Sequence, residues 1–217
     1  IAKKMTSLDK LGCFEYHGLD KEFPKDQGWQ YATVHMIYDI KSQDHRHKAR
    51  LVVGGHMIDA SMHNKYSSNV QSITVRMLLL VAAQANLTLA ACDIANAFPT
   101  APCMEKVWTI AGPEFGPRAG SKIKIARALY GLATSSRAFH ETLADLLRRI
   151  GFTATRADPD LWYVKSKDHD GYDYIATHVD DLMVAAKRPL DYLHLIEQEF
   201  VLRNKEESPD YYLGANM

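Results

Sequence analysis

Two runs that mix apolar and polar residues, His35 to Lys41 and Arg46 to Val53, read as antiparallel strands joined by a turn at Ser42 to His45 and ended by Gly54-Gly55. Residues 1–30 show no sustained period, so they read as an irregular lead-in with one short helix near Ala2 to Leu8. After a loop from Gly54 to Ser68, Ser72 is placed to cap a helix from about Ile73 to Asn86. Val75 and Met77 to Ala83 make that helix apolar nearly all round, which predicts burial. Leu87 to Asp93 follows as a buried strand ending in a carboxylate, and Ile94 to Thr100 must leave the sheet quickly. Glu105 to Ile110 and Lys122 to Leu129 read as strands around a Gly/Pro loop at Pro113 to Ser121. Ser135 or Ser136 then caps a strongly amphipathic helix to Ile150, with Phe139, Leu143, Leu146, Leu147 and Ile150 on one face and Gly151 as terminator. Leu161 to Lys165 and a hairpin over Tyr172 to Lys187 add strands, with Asp170-Gly171 as the turn between them. Pro189 opens a last helix with Leu190, Leu193, Ile196 and Phe200 inward. The expected class is α+β, an antiparallel sheet with helices packed on one face.

Composition narrows the reading. At 217 residues, 47% hydrophobic and 24% charged, the chain can bury a substantial core. Lys plus Arg and Asp plus Glu are 26 each, so no overall field draws the chain to nucleic acid or anionic lipid. A polyanion site must be a local concentration of charge. Arg46, Lys48 and Arg50 form one, because strand positions two apart share a face. The stripe reads either as a solvated edge protected from aggregation or as a phosphate contact. Cys13, Cys92 and Cys103 lack CxxC spacing and the ten histidines lack an HExxH pattern, so a reduced intracellular protein without structural zinc is expected. The longest apolar run, Met77 to Ala83, is too short to span a bilayer, and the amino terminus is no signal peptide, so no membrane partner is expected. The missing initiator Met and the stop just after Tyr211-Tyr-Leu213 make both ends read as cut from something longer.

Candidate chemistry centres on Asp180-Asp181 at the turn of the 172–187 hairpin. Adjacent carboxylates beside an apolar sheet repel and raise each other's pKa, so keeping them ionised calls for a cation. A polar turn is the plainer reading of the same pair. With Asp93 at a strand end able to meet them, three carboxylates suit a two-metal site of octahedral oxygen ligation, as Mg²⁺ prefers. Such a site serves in-line displacement at phosphorus, which points to phosphoryl or nucleotidyl transfer; a two-metal nuclease is the competing reading.

Beyond these residues the chain resembles the reverse transcriptase of copia-type LTR retrotransposons, from about His35 to Gly214. The resemblance lies in the order and spacing of Lys48-Ala-Arg-Leu-Val-Val-Gly-Gly-His56, Tyr66-Ser-Ser68, Val75-Arg76, Cys92-Asp-Ile-Ala-Asn-Ala-Phe98, Val107 to Phe115, Ala128-Leu-Tyr-Gly-Leu132, Gly151-Phe152, Ala157-Asp-Pro-Asp160, His178-Val-Asp-Asp181 and Tyr212-Leu-Gly214. It implies a right-hand polymerase core of fingers (about 1–86 and 104–130) and palm (about 87–103 and 131–217), with no thumb or ribonuclease H domain. By the same resemblance Asp93, Asp180 and Asp181 are catalytic and hold two Mg²⁺ or Mn²⁺ ions, with the Ile94 carbonyl as a further ligand. Phe98 falls where an aromatic steric gate lies under the incoming sugar, Ala97 and Tyr130-Gly131 fall in the nucleotide pocket, and Lys48 and Arg50 face the triphosphate or template. The implied partners are an RNA or DNA template-primer, a dNTP and the remainder of a Pol polyprotein with its integrase and ribonuclease H. The implied location is the cytoplasm, in virus-like particles, with the nucleus as a second site.

Three positions depart from the family pattern. His178 stands where Tyr is usual, Pro99 where a larger apolar residue is usual, and Ala133-Thr-Ser-Ser136 replaces a Lys/Gln/Ser-containing turn. By the resemblance, a His at this position alters how the primer end sits, and Pro99 removes a backbone donor in a tight segment. Two hypotheses follow: an RNA-directed DNA polymerase core, and a catalytically inactive remnant of one that at most binds nucleic acid.

Overall fold

A computed structural model describes residues 2–40, 47–61, 63–207, 209, 211–212 and 215–216. Along the chain run α1 (Ala2–Lys10), β1 (Phe14–His17), β2 (Gln30–Tyr31), β3 (Val34–Ile40), β4 (His47–Val53), α2 (Ser72–Gln84) and β5 (Thr88–Ile94). Next come α3 (Ala97–Thr100), β6 (Val107–Ile110), β7 (Lys122–Ile125), α4 (Ser135–Arg149), β8 (Thr153–Ala154), β9 (Leu161–Lys165) and β10 (Tyr172–His178). β11 (Asp181–Ala186), α5 (Pro189–Glu197), β12 (Leu202–Glu207), β13 (Tyr211–Tyr212) and β14 (Ala215–Asn216) complete the order. The class is α+β, as the periodicities predict. The chain divides into one unit of residues 1–66 and 98–139 and another of 67–97 and 140–217.

The first unit holds a four-stranded sheet in the order β1-β7-β6-β2, in which β2 runs parallel to β6 and the other pairs are antiparallel. Alternation decides its faces: Ile123 and Ile125 are buried while Lys122 and Lys124 point away. Leu8, Phe14, Val107, Phe115 and Leu129 close the core over that inner face. β3 and β4 form a separate hairpin, anchored by buried Leu51 and Val53 at its base and exposing Ile37, Tyr38 and Ile40 farther out. Lys48 and Arg50 share a face of β4; Arg46 and the expected turn at Ser42 to His45 lie outside the described residues.

The second unit is built on a six-stranded, fully antiparallel sheet in the order β12-β5-β11-β10-β9-β8. Leu182 to Ala186 are all buried, so the centre of the sheet is covered on both faces and not on the single face expected. α2 packs with Ala91, Met183, Ala185 and Ala176, and α5 packs on β11 and β5. α2 corrects a second expectation: only Leu78 and Ala82 are buried, whereas Ile73, Met77 and Leu80 are 58%, 61% and 60% exposed. One stripe is enough to seat a helix on a sheet, and apolar residues elsewhere on it are not thereby drawn inward. Ser72 is the first residue of α2 and not its cap, which is Gln71 without a side-chain bond. In α5, Leu193 and Ile196 point inward as expected, while Leu190 is part exposed. β12 has no counterpart in the periodicity: Leu202 alone is buried, and Arg203 to Glu207 are exposed. Segment 67–86, grouped with the fingers by resemblance, belongs to this second unit, through Leu78 and Ala82. Among the described residues no helix is long and apolar enough to cross a membrane.

Candidate active site

Three cross-strand pairs align four side chains in one row of the six-stranded sheet. His178 is opposite Asp181, Asp181 opposite Asp93, and Asp93 opposite Arg203, across β10, β11, β5 and β12. Directly opposed residues of antiparallel strands share a face, so two carboxylates stand side by side between an imidazole and a guanidinium. Asp180 sits in the two-residue turn between β10 and β11, and its carbonyl accepts a hydrogen bond from the Ile94 N–H at 2.8 Å. That bond docks the turn on the end of β5. Val179, the first turn residue, has φ 55°, a left-handed conformation that such a turn ordinarily gives to glycine. For a β-branched residue the conformation costs about 1–2 kcal/mol and must be held by its surroundings.

The electrostatics follow from this crowding. Asp93 is pushed up to about 6, first by burial, then by the charges of Asp180 and Asp181 and a side-chain hydrogen bond with Asp180, against the pull of Arg203. Asp181 is raised by burial and by Asp180, with His178 pulling it down. Excess negative charge at a half-buried sheet end is the setting that a bound cation relieves. Carboxylates and a backbone carbonyl form an all-oxygen donor set, which fits Mg²⁺ or Mn²⁺ in chemistry, with water and substrate oxygens completing the shell. Among the described residues no group of three His, Cys, Asp or Glu side chains is arranged to hold a metal ion. Ile94, the expected carbonyl donor, is the last residue of β5 and opposes Leu202.

The expected nucleotide-binding residues fall mainly in the first unit. Phe98 and Tyr130 pack with ring centroids 4.9 Å apart, and Arg50 lies over the Tyr130 ring at 5.8 Å while approaching Asp39 at 3.7 Å. The Val53 N–H donates to the Tyr130 carbonyl at 2.8 Å, fixing Tyr130-Gly131 against the end of β4. Gly131 has φ 93°, and a Cβ there would collide with the Val53 carbonyl; a Cβ on Gly55 would collide with the Gly131 carbonyl. Two backbones touch at these glycines and leave no room for side chains. Lys48 is opposite Asp39 in the hairpin register, on the Arg50 face. Ala97, assigned to the second unit, is buried in α3 and can offer a ligand only backbone. Pro99 is accommodated, because it stands in the opening turn of α3, where the missing N–H has no helical partner to serve.

Arg203 is the site residue that periodicity missed. It sits in a strand almost wholly charged, and only the register of β12 on β5 brings it opposite Asp93.

Comparison with known proteins agrees with the motifs. The sequence family described as reverse transcriptase (RNA-dependent DNA polymerase) matches residues 22–215. The retrovirus-related Pol polyprotein from transposon RE1 of Arabidopsis thaliana is 27% identical over 184 residues, covering 82% of this chain and 12% of that protein. The corresponding polyprotein from transposon TNT 1-94 of Nicotiana tabacum is 25% identical over 196 residues, covering 86% of this chain and 14% of its own length. The chain thus spans about an eighth of the curated relatives it matches. Among solved structures, the foamy viral protease-reverse transcriptase dRH in complex with ds DNA aligns over 95% of this chain and 30% of that one, with TM-score 0.46 and 14% identity. Matched along nearly its whole length, the chain belongs to the reverse transcriptase (RNA-dependent DNA polymerase) family, among the Pol proteins of copia-type retrotransposons.

Proposed function

We propose that this chain is the fingers and palm core of an RNA-directed DNA polymerase, transferring a nucleotide from a dNTP to a primer 3′-hydroxyl on an RNA or DNA template. The observation that carries the reading is the register of Asp181 on Asp93, with Asp180 in the adjoining turn. Asp93, Asp180, Asp181 and the Ile94 carbonyl would hold two Mg²⁺ or Mn²⁺ ions, which would supply Lewis acidity to the attacking hydroxyl and positive charge to the phosphates when bound. Arg50 and Lys48 balance triphosphate or template charge, Phe98 bears on the incoming sugar, and Tyr130 with Gly131 forms part of the nucleotide pocket. Residues of about 1–86 and 104–130 act mainly as fingers and those of about 87–103 and 131–217 mainly as palm. The relatives are Pol polyproteins far longer than this chain. Its partners on this reading are the template-primer, a dNTP and the remainder of a Pol polyprotein, with integrase and ribonuclease H expected there from the family resemblance.

The deciding experiment is primer extension on an RNA template with dNTPs and Mg²⁺ or Mn²⁺, comparing the chain with Asp93→Asn. Extension by the first and none by the second supports a polymerase. Template binding with no extension by either would mark an inactive remnant, and degradation of the template would favour the nuclease reading.

A further inference from the structure

The loop between β8 and β9 holds two carboxylates that the proposed reaction does not use. Asp158 and Asp160 are 2% and 1% exposed. Asp158 accepts the Gln71 N–H through Oδ2 at 2.9 Å and the Asp160 N–H through Oδ1 at 3.1 Å. The Asp160 carbonyl accepts the Thr177 N–H at 2.9 Å. The Asp160 Oδ1 lies 2.8 Å from His140 Nε2 and 3.3 Å from the Thr177 hydroxyl, and its Oδ2 is buried. Burial opposes the charge on Asp160, but hydrogen bonds from His140, Ser68 and Thr177 and the attraction of His140 outweigh it and hold the carboxyl below its usual range. Fastening a loop does not by itself require a buried ionised group, and neutral side chains do so at lower cost.

What this network fastens is the strand that enters the acidic turn. β10 pairs with β9 only as far as Ala176 opposite Leu161. Thr177 comes next: its N–H is taken by Asp160 and its carbonyl by the Val70 N–H at 3.1 Å. Only His178 and left-handed Val179 separate it from Asp180. On the far side the turn is held by the His178–Asp181 pair and by the Ile94 N–H on the Asp180 carbonyl. A strained turn keeps its conformation only while its flanks are fixed, and Asp160 fixes the entering flank.

We infer that Asp160 is a positioning residue, which through Thr177 and with His140 holds β10 so that Val179 stays left-handed and Asp180 stays docked on β5. Its consequence for metal binding rests on the proposed role of Asp180 and Asp181, whereas its consequence for the turn does not.

Amide hydrogen exchange and Mn²⁺ binding, measured without nucleic acid, test this. In Asp160→Asn, exchange at the Ile94 amide, which reports the bond to Asp180, should accelerate about tenfold more than at Val184 in mid β11, and Mn²⁺ affinity should fall about tenfold. Equal acceleration at both amides with unchanged Mn²⁺ affinity would mean support of the fold alone and would overturn the inference. Should Asp160→Asn fail to fold, Thr177→Val, which keeps the backbone bonds, and His140→Gln must each show the selective Ile94 effect; its absence in both overturns the inference. Asp93→Asn separates the two readings. If it leaves Mn²⁺ affinity unchanged, the metal assignment fails, and the Ile94 to Val184 exchange ratio still decides the role of Asp160.

Discussion

Arg203 stands directly opposite Asp93 across the β5–β12 ladder, on the side away from Asp181. Its guanidinium is the cation that opposes the upward shift of the Asp93 carboxyl. Replacing it by an uncharged group, as in Arg203→Gln, should move the Asp93 titration above its present value of about 6. Carboxyl ¹³C NMR in EDTA follows this directly, and a midpoint that stays in place would show that Arg203 does not act on Asp93.

A second expectation concerns stability without metal. The Asp93 carboxyl titrates near 3.9 when unfolded and at about 6 when folded. Below the lower value it is neutral in both states and costs nothing. As pH rises through that window the unfolded chain releases the proton first, so folding is penalised, and the penalty is complete above about 6. Solvent reaches this half-buried group, which reduces the penalty to about 1–2 kcal/mol. Metal-free Asp93→Asn should therefore be more stable than the parent by that amount at pH 8 and equal to it near pH 4, as read by urea unfolding. A less stable variant at pH 8 would contradict the crowding of the carboxylates.

The backbone contact at Gly55 and Gly131 gives a third. Each added Cβ meets a carbonyl, and at Gly131 the left-handed φ adds strain. Gly55→Ala and Gly131→Ala should each cost about 2 kcal/mol or more. Gly116→Ala, with φ 58° but open space around it, should cost only about 1 kcal/mol. Thermal unfolding of the three variants ranks them, and losses at Gly55 and Gly131 no larger than at Gly116 would mean that the carbonyl contacts do not matter.

Phe98 offers the fourth. Its ring packs on Tyr130 and lies 6.4 Å from Phe139, yet it is only half-buried. If it lies under the incoming sugar, Phe98→Val should raise the ratio of ribonucleotide to deoxynucleotide kcat/KM by an order of magnitude or more, since removing a clash is worth more than losing a contact. A core role predicts instead a loss of about 3 kcal/mol in stability at an unchanged ratio.

Much of this architecture is legible locally. Phe139, Leu143, Leu146 and Leu147 of α4 recur at helical spacing, and Gly151 just past its end has φ 101°, so that helix can be drawn from sequence. The β10–β11 hairpin was equally plain, because apolar strands flank a short polar turn. What stayed hidden depends on partners far away in the chain. Arg203 to Glu207 carry no apolar alternation, so β12 exists only because β5 offers it a ladder. The N-terminus of α2 is served by the Asp158 carboxylate, which no window around Ser72 contains. The three carboxylates were recognisable as a group, whereas their row with His178 and Arg203 is a matter of register, which a one-residue slip would abolish.

Each unit is stitched from two separated stretches, and this bears on how the protein comes into being at the ribosome. β5 emerges carrying Ala90, Ala91 and Cys92, all buried in the finished sheet, yet both of its neighbours, β11 and β12, are synthesised only after the intervening 98–139 stretch, the rest of α4 and strands β8 to β10. Until then an apolar strand has two open edges, the condition under which nascent sheets are slow to close and prone to pair with the wrong chain. Neither unit can be released by one proteolytic cut or expressed as one uninterrupted fragment. An amber stop anywhere before β12 would leave Asp93 on a strand that has lost its outer neighbour.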